Sequence, residues 1–409
     1  MFTGVLIASC SSGTTEGKEI KLTVGLFGDF GYRKLYAQYE KEHPGIHVVE
    51  RVTAFEDHHT SLAEHLATGR GASDVEAIET GYIGRFKANP GKFVNFLDYG
   101  VGAQRRRWLP WKWDQSLSTD GKSQIGLGTD VGGLAMCYRT DLFEKAGLPT
   151  DRDEVSALWP DWNAYFKTGD RYTADAPAGT RWFDGGATVF NAIIGQARTA
   201  YYDADGTLVV KTNPVVRQDW NTVTNAIEKG QSARLTPLTI DWNNGFAKSR
   251  FATIPCPAWM TAFIQSQAKS SAGKWDVATV PGSSGNWGGS FLTVPKQGHH
   301  TEEAVKLARW LTAPEQQKAV FKENGNLPSQ PALYKDPSVT GLVKPFFHNA
   351  PVGRIFADSA RKLKPQPQGP KSGEIMVAFT NGFSRVEEGH ESPAAAWNSV
   401  LADIEHGQR

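Results

Sequence analysis

The order of apolar and polar positions in the first ninety residues changes period at regular intervals. Residues 21 to 32, KLTVGLFGDFGY, read as a strand that runs into a glycine-rich turn, and Arg33 to Lys41 as a helix that stops before His-Pro-Gly. HVVERV at 47 to 52 is a second strand. Leu62, Leu66 and neighbouring alanines lay one apolar stripe on a helix around 60 to 69, which ends at Gly69. DVEAIETGYIGRF, 74 to 86, is a short apolar strand entering a turn, with Glu79 at its mouth. Strand and helix alternating at this spacing predict an α/β unit with a parallel sheet. In such sheets ligands bind off the carboxyl ends of the strands, and Asp29 and Glu79 fall at two of those ends.

A third carboxylate, Asp130, lies in GLGTDVGGLAMCYR, residues 126 to 139. Gly126, Gly128, Gly132 and Gly133 let the chain bend there. Leu134, Met136 and Tyr138 then alternate with Ala135, Cys137 and Arg139, the period of a half-buried strand. This stretch is expected to cross between two lobes. Further on, the pattern predicts a helix over 213–230 and a strand Phe251 to Ile254 bounded by Pro255 and Pro257. A strand from Trp275 to Val280 precedes PGSSGNWGG. A helix Glu302 to Thr312 carries one stripe of Ala304, Leu307, Ala308 and Leu311, and Pro314 opens another. KPQPQGPKSG at 364 to 373 reads as a loop.

Composition narrows the function classes. A chain of 409 residues makes two or three domains, and 44 Lys plus Arg against 43 Asp plus Glu leave no field to attract nucleic acid or an anionic membrane. The basic run Arg105 to Arg107 is short enough to be a solvated face. There is no HExxH, CxxC, G-x-S-x-G or P-loop pattern, so neither a metal nor a nucleotide cofactor is expected. Near the N-terminus Ile7, Ala8, Ser9 and Cys10 match the end of a lipoprotein signal, with 1–19 as signal remnant and tether. Export and a lipid anchor at Cys10 follow, the anchor being the only membrane attachment expected. In an exported protein, strand-borne Cys137 and Cys256 are more often a disulfide than two thiols, buried unreactive thiols being the alternative.

The count of 13 Trp is high for this length. Indole faces suit the C–H surfaces of pyranose rings, and carboxylates accept strongly from sugar hydroxyls. Trp259 follows Cys-Pro-Ala and Trp287 sits between Asn286 and Gly288, both poor settings for core packing. Trp242, beside Asp241 in TIDWNNGF, is a third candidate. Trp108, Trp111, Trp113, Trp310 and Trp397 fall in helical patterns and are assigned to packing.

Several stretches together resemble the extracellular solute-binding proteins of bacterial ABC sugar importers, of the maltose-binding-protein type. They are LTVGLFGDFG, YAQYEKEHPGI, SDVEAIETGYI, GLGTDVGGLAMCYRTDLFEKAGLP, FATIPCPAWM, WDVATVPG, NWGGSFLTVPK and EEAVKLARWLTAPEQQKAVF. The likeness leans toward actinobacterial receptors for malto-oligosaccharides or acarbose, cellobiose and xylobiose. It implies a type II two-lobe α/β fold with lobes joined by crossing hinge strands. Lobe one would comprise 20–127 plus 280–333, lobe two 132–276 plus 338–409, with hinges near 128–131, 277–279 and 334–337. It further implies a monomeric receptor that is no enzyme, delivering an oligosaccharide to permease subunits. Ligand contacts would come from Asp29, Phe30, Glu79, Asp130, Asp241, Trp242, Trp259, Trp287 and Gly288. The rival readings are a secreted glycoside hydrolase, using Asp29, Glu79 and Asp130 as acid and nucleophile, and a cell-wall lectin.

Overall fold

Two mixed sheets carry the architecture in a computed structural model that describes residues 19–406; Cys10 lies outside that range. The strands in chain order are β1 (Ile20–Leu26), β2 (Ile46–Val52), β3 (Val75–Glu79), β4 (Gly126–Gly128), β5 (Asp130–Val131) and β6 (Leu134–Arg139). They continue with β7 (Arg181–Phe183), β8 (Phe251–Pro257), β9 (Trp275–Ala278), β10 (Ser290–Thr293) and β11 (Leu327–Pro328). The first sheet runs β2-β1-β3-β10-β4 and the second β7-β8-β6-β9. Between them β5 pairs with β11, Val131 opposite Leu327 and Asp130 opposite Pro328.

The expected parallel sheet holds only for β2, β1 and β3. Strand β10 is antiparallel to both β3 and β4, because it re-enters the first sheet after the chain has built the second. Local helix signals behave as read: helix Phe55–Thr68 ends on Gly69 in the left-handed conformation, and helix Thr301–Leu311 buries Ala304, Leu307, Ala308 and Leu311. The turn expected after Glu79 is instead a helix, Thr80–Lys87, for which the Glu79 carboxylate is the N-cap.

Strand β6 departs from the half-buried expectation. Leu134, Met136 and Tyr138 enter one apolar cluster, with Trp159, Trp182 and Phe143, while Ala135 and Cys137 enter another, with Trp275 and Ile254. Alternation here therefore sorts side chains between two buried faces. Strand β8 runs on through Pro255 and Pro257, which pair with Met136 and Leu134. Its partner β7 reaches only to Thr253, so the prolines lie where one side of β8 has no strand neighbour and a missing N–H costs little. Cys137 and Cys256, on these adjacent strands, are joined as a disulfide with Cα atoms 5.4 Å apart.

Leu22, Val24, Ala77 and Leu292 of the first sheet pack with Ala304, Leu307 and Leu311 of the following helix as the first lobe's core. Leu333, Tyr334, Phe347 and Phe356 instead pack with Val131 and residues of the second sheet.

Candidate functional site

Where the two lobes face each other they line a half-open cavity of about 80 Å³. From the first lobe it is lined by Glu79, Thr80 and Gly81 at the exit of β3, and by Trp111 and Gln115 of helix Pro110–Ser116. From the second lobe come Asn191 and Ile194 of helix Gly186–Ile194, Tyr201, the loop around Gln366, and Met376. The crossing segment Asn286, Trp287 and Gly288 closes it.

Glu79 is held from two directions. Its Oε2 accepts from the Gly81 N–H at 2.5 Å, and its own N–H donates to His59 Nε2 at 3.1 Å. His59 Nδ1 lies 2.7 Å from the Phe55 carbonyl, and the ring stacks on Tyr82 with centroids 4.0 Å apart. Burial pushes the His59 pKa down to about 3, so the ring is neutral, with Nδ1 donating and Nε2 accepting. Burial raises the Glu79 carboxyl to about 7; the Gly81 N–H and the Lys112 ammonium pull against that, and the Asp130 charge adds to it.

Lys112 itself is fully buried. Its Nζ donates to Thr80 Oγ1 at 3.0 Å and sits 3.9 Å from the centre of the Phe291 ring. Burial lowers its pKa to about 8, against the pull of Asp130 and Glu79. Asp130 completes the set: Oδ1 accepts from Thr129 Oγ1 at 2.7 Å and the Ser290 N–H at 2.9 Å, Oδ2 from Asn326 Nδ2 at 3.2 Å. Both of its oxygens are thus engaged by the protein, and Asp130 braces β5 against β10.

Gly288, at φ +92°, stands between the two aromatics and the acid. A Cβ there would lie 3.5 Å from Trp259 Nε1 and 3.7 Å from Glu79 Oε1, so a side chain would fill the gap between them. The Trp259 and Trp287 rings meet edge to face at 5.9 Å, and both are partly exposed.

The expected site residues thus separate. Glu79, Trp287 and Gly288 line the cavity, with Trp259 adjoining through Gly288. Asp29 is exposed on the turn after β1, its Oδ1 accepting from Gly31 N–H at 2.8 Å; its carbonyl accepts from Asn324. Phe30 is in the first lobe's core, 5.1 Å from Phe27. Trp242 is a core residue: it is fully buried, stacks on Phe263 at 5.1 Å and donates its indole N–H to Asp184 Oδ2 at 2.7 Å. Asp241, on the outer face of the same helix, borders a separate surface depression with Arg234 and Lys248. Lys112, Trp111, Gln115 and Tyr201 were not anticipated, although Trp111 and Gln115, four apart, share a helix face.

This arrangement offers an aromatic wall, one acid of raised pKa and amide and hydroxyl groups, all between two lobes. Among the described residues no cluster of His, Cys, Asp and Glu could hold a metal ion. No described helix is long and apolar enough to cross a membrane.

The chain belongs to the bacterial extracellular solute-binding protein family, whose pattern it matches over residues 34–345. It is similar to a solved structure described as extracellular solute-binding protein family 1, at 42% identity over 95% of this chain and 100% of that one, with a TM-score of 0.83. A second solved structure, the ABC transporter associated binding protein of B. animalis subsp. lactis Bl-04 in complex with β-1,6-galactobiose, shares the fold at a TM-score of 0.81 and 20% identity, over 96% and 98% of the two chains. The "Probable ABC transporter-binding protein" of Deinococcus radiodurans is 25% identical over 308 residues, 68% of this chain and 66% of that protein. The chain thus spans just under two thirds of that relative.

Proposed function

We propose that the protein is an extracellular receptor that closes on an oligosaccharide and delivers it to the permease subunits of an ABC importer. The observation that carries this reading is the placement of Trp287 and Glu79 on one cavity between two lobes, with Trp259 beside them. An indole face takes apolar ring surface out of water, and a carboxylate fixes the hydroxyls around it. Family membership supports the class, and the sugar-bound relative supports the ligand type.

The cavity of about 80 Å³ is far below the roughly 300–1,000 Å³ typical of sites for drug-sized ligands, so room for several sugar rings comes with movement of the lobes apart. Ligand then favours closure by touching both sides. We place the hinge at the β5–β11 pair, 130–131 with 327–328, together with the segment after β9. The packing of Leu333 and Tyr334 with second-lobe residues favours 327–328 over 334–337 for the return crossing. Lobe one is then the body of the first sheet and lobe two that of the second.

A neutral or weakly basic oligosaccharide of two to four glucose-based units fits this cleft best, malto-oligosaccharide or acarbose-like ahead of cello- or xylo-oligosaccharide. The acid at the site disfavours an anionic sugar. Hydrolysis is disfavoured because both oxygens of Asp130, the carboxylate expected to pair with Glu79, are already engaged within the protein. A Cys10 lipid anchor and a monomeric receptor belong to the same reading. Calorimetric titration with maltotetraose, acarbose, cellotriose and xylobiose tests it. Binding of at least one without release of reducing ends is expected; binding of a uronic acid alone, or cleavage, would overturn it.

A further inference from the structure

Several polar groups on the cavity wall are satisfied within the protein. Thr80 Oγ1 donates to the Gly289 carbonyl at 2.8 Å, the Gln366 amide donates to the Ile194 and Ala197 carbonyls, and Ser372 Oγ accepts from the Gly369 N–H at 3.0 Å. Two buried atoms are not: neither Gln115 Oε1 nor Tyr201 Oη has a hydrogen-bond partner among the described residues. They come from opposite lobes and line the same cavity.

A buried polar atom left unpaired is costly, and native proteins tolerate few such atoms without a reason. These two are also well fixed. The Tyr201 ring stacks on Phe379, centroids 5.6 Å apart and planes 12° from parallel, and burial keeps its phenol protonated. Gln115 is 9% exposed and belongs to the helix whose Lys112 and Trp113 are buried. One turn before Gln115 on the same helix, partly exposed Trp111 adds an indole to this part of the wall.

We infer that Gln115 and Tyr201, with Trp111 as the apolar surface, form a cross-lobe subsite for a pyranose ring, in which ring hydroxyls donate to Gln115 Oε1 and pair with Tyr201 Oη. The inference rests on the oligosaccharide reading and adds to it residues that determine specificity. Bridging two unpaired groups on opposite lobes makes ligand and closure mutually dependent: with the lobes together, these two atoms are hydrogen-bonded only around a sugar.

The test screens the wild-type chain on an array of α- and β-linked gluco-, xylo- and galacto-oligosaccharides of two to four units. The tightest binder is then titrated against Tyr201→Phe, Gln115→Leu and Trp111→Leu. Tyr201→Phe removes one atom that has no protein partner, so its melting temperature should equal or exceed that of wild type. Its affinity should fall about 5- to 30-fold, the effect of one buried hydrogen bond, and Gln115→Leu should match it. Trp111→Leu should weaken binding at least as much. Unchanged affinity in both Tyr201→Phe and Gln115→Leu would overturn the subsite while leaving the receptor reading intact. So would a lowered melting temperature in Tyr201→Phe, since the hydroxyl would then be structural. Failure of the wild-type chain to bind any sugar on the array would overturn both.

Discussion

Two groups of buried carboxylates, one at the cleft and one inside the second lobe, respond to burial alike and differ in what surrounds them. At the cleft, Glu79 shares its surroundings with the ammonium of Lys112, and its Oε1 faces the gap at Gly288. Inside the second lobe, Asp184 Oδ2 accepts from Thr188 Oγ1 at 2.6 Å and Trp242 Nε1 at 2.7 Å. Nearby Glu387 Oε1 accepts from the Gly186 N–H at 2.8 Å and from Ser232 Oγ at 2.5 Å. Burial lifts Asp184 and Glu387 to about 7, as it does Glu79. The difference teaches that a raised pKa beside a tryptophan does not by itself mark a binding site. Access to the cavity distinguishes Glu79; Asp184 is walled in and ties a helix to the core.

The comparison breaks most visibly at Trp242. Trp242→Ala should cost about 3–5 kcal/mol of stability, the usual loss for a buried large aromatic, and leave sugar affinity of the folded protein within about twofold. Chemical denaturation and calorimetry on the same variant decide it; normal stability with lost binding would return Trp242 to the site. Next in size is Trp287→Ala. Removing its ring face should weaken every bound sugar by roughly 30- to 100-fold, about 2–3 kcal/mol at 25 cal/mol per Å², while the melting temperature stays close to wild type.

Glu79→Gln sharpens the contrast further. It should change the ranking among epimeric sugars by about tenfold, because a hydroxyl pattern matched to a carboxylate is matched less well to an amide. Asp184→Asn should leave that ranking unaltered.

Stability against pH tests what the two groups share. Each carboxyl is raised in the folded state above its unfolded value, so between pH 4.5 and 7 the folded chain holds protons that the unfolded chain has lost. Stability contributed in this way is complete at low pH and falls as pH rises through that window. The buried neutral His59 works the other way over the same interval, so the test is a difference between chains: from pH 5 to pH 7.5 the melting temperature of Asp184→Asn should fall less, or rise more, than that of wild type. Identical pH slopes for the two would contradict a raised Asp184 carboxyl. The smallest effect concerns the disulfide: intact mass after alkylation without reductant should show no label on Cys137 or Cys256.

The fold was legible in the sequence where one segment settles its own conformation. Gly69 ends its helix by its left-handed backbone, and Ala304, Leu307 and Leu311 mark their buried face. Long-range pairing was not legible locally: nothing within NWGGSFLTVPK says that β10 inserts antiparallel between β3 and β4. The site divides in the same way. Glu79 and Trp287 sit at a strand exit and in a glycine-flanked crossing, settings visible in a string of letters. Lys112 lies between two tryptophans of a helix and reads as solvent-facing, because its partners Thr80 and Phe291 come from distant segments. Trp242 misled because its stacking partner Phe263 and its acceptor Asp184 are 21 and 58 residues away.

The central claim is that the two lobes close around a sugar at the Glu79–Trp287 cavity, and small-angle scattering with and without ligand tests it most directly. The free protein should have a larger radius of gyration than the liganded one, and saturating oligosaccharide should contract it. An identical radius of gyration with and without saturating ligand would contradict the account.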